Sequence, residues 1–382
     1  MPCVPVETRT GTVYFSYTIS TPNEASSKTL EQGLPTLLFI HPAYFSSLVY
    51  HAQFGDRQLR RFNLVAFDLR CIGFTTGARV MTPYTPDDVA EDVAKFMDAI
   101  NLPPCHIVAL GTGTSIAFDL ALNYSQKCLS LCLMSPLGFP EYNPAIQEGI
   151  GQIHELWREA MANPANIDKS MVWDALNGIR QFGFSYMSGS KLVNAMFQVW
   201  FARSLELWGP NPEAIEEFFE TTLDFFSHEN HFARTVNELR GIRVPVQLIQ
   251  GTNNLINNRP EEYLDKFGAL LQEANVEFET ALIPHAPHCL CVDYSEILNP
   301  LIHDFALKLS RVPVPPSPIQ ASSPWENMLR AVGYAPEDDI DDELIIHHYP
   351  LYSGVHRSGI TQIGHVHNGY TPRTAVCPVS GI

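Results

Sequence analysis

Short apolar runs recur along the chain at intervals that a helix can fill. Residues 36–40 (TLLFI), 62–67 (FNLVAF), 106–110 (HIVAL), 129–134 (LSLCLM) and 244–250 (VPVQLIQ) are nearly continuous in hydrophobic side chains. Runs of that length predict central strands buried on both faces. Residues 12–21 alternate instead, and their β-branched and aromatic side chains predict a half-buried strand. Between the runs the period changes. Val89, Val93, Phe96, Met97 and Ile100 fall at helical spacing behind Thr85-Pro86-Asp87-Asp88. That tetrapeptide is a start signal, with a capping hydroxyl, a proline in the first turn and acids facing the positive helix end. Residues 276–283 make the last strand, between helices expected over 260–274 and 294–309. The alternation predicts an α/β domain, with a mostly parallel central sheet and helices on both faces.

The alternation stops between residues 140 and 237. This stretch is helical in pattern and carries Trp157, Trp173, Phe182, Phe184, Tyr186, Phe197, Trp200, Phe201, Trp208, Phe218, Phe219, Phe225 and Phe226. It predicts a helical cap, with several of these rings lining a pocket mouth. The expected organisation is a core in two parts, 1–139 and 238–310, interrupted by the cap over 140–237. Residues 311–382 read as a Pro-rich linker, VPVPPSP at 312–318, and a flexible tail. Within the tail, 323–333 predicts one amphipathic helix and 337–343 is acidic.

The chemistry concentrates at the ends of the predicted strands. Residues 105–118, CHIVALGTGTSIAF, read as strand, small-residue turn and helix, a unit that presents one residue at the apex of the turn. The best register sets Ala109 and Gly113 at the two small positions and Gly111 at the apex. Glycine has no side chain with which to attack. Placing Thr112 there instead crowds Leu110 and Thr114 into positions where side chains collide. Thr112, Thr114 and Ser115 remain as displaced hydroxyls, set against the simpler role of satisfying free donors at a helix N-terminus.

Composition narrows the field. The chain has 382 residues, 45% of them hydrophobic, with 24 basic and 41 acidic side chains and a net charge of −17. Such a surplus opposes binding to nucleic acid or an anionic membrane, and leaves small molecules or another protein as partners. No run of about 18 apolar residues is present, so no membrane span is expected. The first residues lack a basic segment followed by an apolar one, so a cytoplasmic, reduced setting is expected. The eight cysteines are scattered, and Cys289 and Cys291 form CxC with no second pair nearby. Neither a metal site nor a cofactor is expected. His347, His348, His356, His365 and His367 match no defined metal spacing and read as surface histidines of the tail.

In their order these elements resemble the α/β-hydrolase superfamily over residues 13–309. Asp68-Leu69-Arg70-Cys71-Ile72-Gly73-Phe74 is similar to the family's D-x-R-G-x-G-x-S, residues 84–117 to its helix and elbow, and 281–305 to its final strand, histidine and helix. The resemblance implies a nucleophile elbow of G-x-S-x-G type with Gly111 at the nucleophile position. It implies His288 as the histidine, with Pro287 where glycine is usual and His285 as the fallback. Asn254 falls at the position of the acid, where an amide orients an imidazole without stabilising its charge. The implied oxyanion donors are the backbone N–H groups of Ala43 and Thr112, although the family's His-Gly has become His41-Pro42. His41 and Tyr44 beside them are candidate binding residues, and His41 also reads as structural. The glycine apex is similar, in that region and in general layout, to the N-myc downstream-regulated group.

Competing functions follow from these residues. One is a non-hydrolytic protein that binds a small apolar or acyl-type ligand. Another is an enzyme, an ester or lactone hydrolase, lyase or isomerase, that uses His288 as general base. In it a water or substrate atom fills the space left by the missing nucleophile side chain. Without a carboxylate partner, the His288 pKa is expected near or below about 6.5. A third is a structural protein whose C-terminal tail carries a protein partner.

Overall fold

The structure, a computed structural model, describes residues 1–80, 83–137, 144–184, 190–224, 234–257, 259–335 and 360–361. Its sheet runs in the order β1 (Cys3–Thr8), β2 (Gly11–Ser20), β4 (Asn63–Phe67), β3 (Thr36–Ile40), β6 (Cys105–Leu110), β7 (Cys128–Met134), β8 (Val246–Gly251) and β9 (Phe278–Ile283). The short β5 (Thr76–Gly77) pairs with β2, and β10 (Ile360–Thr361) with β9. From β4 through β9 the pairing is parallel, while β2 runs antiparallel to β1 and β4. Strands β3, β4, β6 and β8 are buried at every position, as their unbroken hydrophobic runs require. The sequence pattern did not predict β1. Of its residues only Val6 is buried, so it is an edge strand held by its backbone ladder to β2 rather than by a hydrophobic face.

Helices cover both faces. On one side α2 (Pro86–Ala99), α3 (Thr112–Asn123) and α9 (Pro260–Glu273) bury Val93, Phe96, Phe118 and Phe267. Thr85 and Asp88 form the expected reciprocal cap at the start of α2. On the other side lie α1 (His51–Phe54), α10 (Leu290–Asp293) and α11 (Ser295–Leu309), which bury Phe54, Leu290, Ile302 and Phe305. Between β7 and β8 the chain inserts α4 (Pro144–Ala160), α5 (Lys169–Gly183), α6 (Lys191–Leu207), α7 (Pro212–Phe219), a π-helical turn (Glu220–Asp224) and α8 (Val236–Leu239).

The inserted layer differs from expectation in how it uses its aromatic residues. Trp157, Trp208, Phe218 and Phe219 pack on one another, with Trp208 stacked on Phe218 at 4.2 Å, while Phe184, Phe197 and Trp200 pack together around Phe45 of the loop after β3. Among the described residues of the expected set, only Phe182 lines the central cavity. Four helices laid over a sheet must fill the space between themselves first, and large rings do so. Tyr186, Phe225 and Phe226 lie outside the described residues.

The second departure is the stretch after α11. Residues 311–335 are not a free linker and tail; they lie across the domain as a strap. Arg57 Nε donates to Pro318 O at 2.8 Å, Arg61 Nε to Pro315 O at 2.7 Å and Arg60 Nη1 to Ser322 O at 2.9 Å. The helix α12 (Glu326–Ala331) then buries Leu329, and Trp325 and Tyr334 on either side of it are buried as well. Trp325 meets Phe54 edge to face at 4.9 Å, and α12 rests on α6 of the inserted layer. A proline-rich strand offers carbonyls without matching N–H donors, so guanidinium groups from another element can hold it. The acidic stretch and the tail histidines lie outside the described residues. Among those described, no helix is long and apolar enough to cross a membrane.

Candidate functional site

The turn between β6 and α3 has Gly111 at its tip, with φ +55° and ψ −122°. This is backbone that a side-chain-bearing residue adopts only under strain. Gly113, one turn of chain later, is a second required glycine, since a Cβ there would stand 2.5 Å from Ile40 O. Both positions agree with Gly111 at the tip of the turn and Gly113 at a small position. The other hydroxyls of the turn have structural partners. Thr114 Oγ1 donates to Gly111 O at 2.6 Å and accepts from Leu137 N at 3.0 Å, and Ser115 Oγ faces Leu137 O at 3.5 Å.

His288 is carried to this tip by the loop after β9. It is buried, and a Cβ placed on Gly111 would lie 2.6 Å from its Nε2 and 3.2 Å from Pro42 Cβ. The imidazole therefore occupies the space a nucleophile's side chain would take. The expectation that this space stands open to a water or a substrate atom is corrected: the His288 ring stands against the glycine. His285, the fallback, is exposed and turned away, with its N–H bonded to Thr252 Oγ1 at 2.7 Å.

Asn254 lies where the resemblance puts the acid. Its Oδ1 accepts from Ile256 N at 3.0 Å and stands 3.2 Å from His288 Nδ1. An oxygen that already accepts an amide N–H is an acceptor, so the proton between it and the ring sits on Nδ1, and Nε2 carries a lone pair aimed at Gly111. Burial lowers the His288 pKa to about 3. The ring is neutral at pH 7.

The oxyanion position is filled from within. Ala43 N donates to Thr112 Oγ1 at 2.6 Å, both groups being buried. The N–H of Ala43 is thus present but engaged by a side chain of the elbow helix, which the sequence did not signal. His41 is corrected from a binding residue to a structural one. Its Nδ1 donates to Pro42 O at 2.9 Å and its Nε2 accepts from Leu69 N at 2.9 Å, so the ring ties two strand-end loops together. Tyr44, at φ +70°, points its hydroxyl toward His154 Nε2 of α4 at 3.2 Å, and Thr222 Oγ1 approaches the same nitrogen at 3.2 Å. Burial lowers the His154 pKa to about 3. Sequence reasoning missed His154 and Thr222. The only signal was a histidine inside the Ile150–Ile153–Trp157 helical face.

These groups surround a cavity of about 30 Å³ lined by Pro42, Ala43, Tyr44, Thr112, Phe182 and His288, with isoleucines from α4 and α5 above. That is room for a water, not for an acyl chain. A ligand therefore requires the inserted helices to shift.

A family model for the alpha/beta hydrolase fold matches residues 35–179. A Caulobacter segnis protein named as a carbamate hydrolase, RutD, is 33% identical over 87 residues, 23% of this chain and 32% of that protein. The dihydrolipoyllysine-residue acetyltransferase component of an acetoin-cleaving system from Cupriavidus necator is 33% identical over 119 residues, 31% of each chain. The chain thus spans about a third of the length of the curated relatives it matches. Among solved structures, a thermophilic esterase from Thermogutta terrifontis superposes with a TM-score of 0.59 at 16% identity, over 81% of this chain and 99% of that one. The enol-lactonase from Burkholderia xenovorans LB400 superposes with a TM-score of 0.54 at 14% identity, over 77% of this chain and 97% of that one. At such identities the structural likeness speaks for the fold. Sheet order, elbow and family model together show that the chain has the α/β-hydrolase fold.

Proposed function

We propose that this protein is a non-hydrolytic member of the fold, which binds a small, largely apolar or acyl-type ligand beneath the inserted helices and forms no acyl-enzyme. The observation that carries the reading is the 2.6 Å between His288 Nε2 and the Cβ position of Gly111. Acyl transfer needs a nucleophile, a base and an oxyanion site. Here the first has no side chain, the second lies in its place, and one donor of the third is bonded to Thr112. The apolar lining from α4 and α5 supports a hydrophobic occupant. Titration calorimetry with short acids, esters and lactones tests the reading. Saturable one-to-one binding without turnover is expected, and turnover of any ester with burst kinetics would contradict it.

A second reading is an enzyme in which His288 acts as general base. The lone pair of Nε2 at the apex favours it. The low pKa opposes it. Burial holds the pKa of the ring well below its ordinary value and so disfavours the imidazolium. That penalty falls on the step a general base must perform. The binding reading is preferred because His288 Nε2 stands 2.6 Å from the Cβ position of Gly111, where the reacting atom of such a step would have to sit.

A further inference from the structure

We propose that Thr112 is the gate of this site, its hydroxyl standing in for the oxygen of a ligand, and that the ligand able to displace it is a carboxylic acid. The inference rests on the binding reading above and names the chemistry that reading leaves open.

In the empty site Ala43 N donates to Thr112 Oγ1. At 2.6 Å this bond is short for an amide donor, and it lies at the cavity wall. A buried N–H without a partner is costly, so in the empty site the threonine hydroxyl satisfies it. Any incoming oxygen must replace that hydroxyl. A neutral ester or ketone oxygen exchanges one neutral acceptor for another and gains little. A carboxylic acid makes the same bond and adds one that the ester lacks, because its O–H can donate to the lone pair of His288 Nε2. Threonine at the first position of α3 can yield by rotating about χ1, since the hydroxyl has more than one accessible rotamer in a helix.

The other side of the cavity points to the same ligand. His288 Nε2 presents a lone pair, because Nδ1 carries the proton shared with Asn254. Two bare acceptors facing each other repel. A carboxyl group answers both needs when it brings one proton. One oxygen accepts from Ala43 N–H, and the proton lies between the other oxygen and Nε2. The titratable neighbours, Tyr44 on the loop after β3 and Cys289 before α10, are both held neutral by burial. The net charge inside the empty site is therefore zero, and binding of an acid anion from solution at pH 7 takes up one proton.

Butyrate and ethyl butyrate are the probes, and Thr112→Val and Thr112→Ser the variants. Valine keeps the shape and removes the hydroxyl; serine keeps the hydroxyl. Calorimetry in two buffers of different ionisation enthalpy reads affinity and proton uptake together. Thr112→Val is expected to bind butyrate at least about tenfold more tightly than the unaltered protein, with close to one proton taken up, and Thr112→Ser to behave like the unaltered protein. In the unaltered protein, butyrate should shift the Ala43 amide resonance, a readout that does not depend on the variants folding. Equal affinity for butyrate in Thr112→Val and the unaltered protein, ethyl butyrate binding as tightly as butyrate, or no shift at Ala43 would overturn the proposal. If the ester binds and the acid does not, the gate is wrong while the binding reading stands.

Discussion

Replacing Trp325 by alanine asks whether the strap belongs to the fold. Trp325 is 1% exposed and packs edge to face on Phe54 at 4.9 Å. Truncating a buried tryptophan costs about 3–5 kcal/mol through lost transfer energy and the cavity left behind. An opposing contribution applies here. The Trp325 Nε1–H is buried without a hydrogen-bond partner, a penalty of about 1–3 kcal/mol that the mutation relieves. The expected net loss is about 2–3 kcal/mol. In a domain of this size that lowers Tm by roughly 3–4 °C. Because residues 311–335 can detach while the sheet stays folded, the loss also appears locally. Cleavage of the exposed turn after Ser310 should accelerate by one to two orders of magnitude, following the population of the open strap. Differential scanning fluorimetry and limited proteolysis measure the two effects. A Tm within 1 °C of the unaltered protein, together with unchanged cleavage, would show that the three arginine–carbonyl bonds alone hold the strap and that this reasoning is wrong.

Other perturbations test the site. Gly111→Ser should destabilise the protein by roughly 1–3 kcal/mol, from backbone strain at φ +55° and from a Cβ thrust against the His288 ring; urea unfolding that shows no loss would contradict the assigned turn. Burial sets His288 and His154 to a pKa of about 3 and His51 and His106 to about 4. All lie below the unfolded value of about 6.5. The unfolded chain therefore binds more protons as pH falls, so stability is full above that value and is lost through pH 6 to 3, by roughly 2 kcal/mol per histidine at pH 5. A urea midpoint unchanged between pH 7 and pH 5 would refute the burial of these rings. Asn254→Asp places a carboxylate 3.2 Å from Nδ1 and should raise the His288 pKa by two or more units, read from its imidazole carbon shifts; no movement would mean that the two side chains do not meet.

What could be read from the sequence follows from what local chemistry determines. The central strands were legible because burial on both faces forces an unbroken hydrophobic run. The elbow register was legible because Gly111 and Gly113 are required by backbone conformation and by close approach to Ile40. The pairing of His288 with Asn254 followed from the order of strand ends. The plug at Ala43 was not legible, because it depends on the rotamer of one threonine. The strap was misread for a related reason. A run such as VPVPPSP shows that a segment will be extended, but not which donors will meet its carbonyls. Those come from Arg57, Arg60 and Arg61, some 250 residues earlier. The position of His288 against the apex was also hidden, since a sequence motif does not say which neighbour stands beside a glycine.

The central claim is that the elbow holds no nucleophile and that His288 fills its place. Intact-mass spectrometry after treatment with an activated fluorophosphonate tests it most directly. The account predicts no adduct on the unaltered protein at concentrations that label a serine hydrolase completely. A stoichiometric adduct mapping to Thr112, Thr114 or Ser115 would contradict it, for it would mean that a hydroxyl of α3 reaches the reagent and that the site still performs acyl-transfer chemistry.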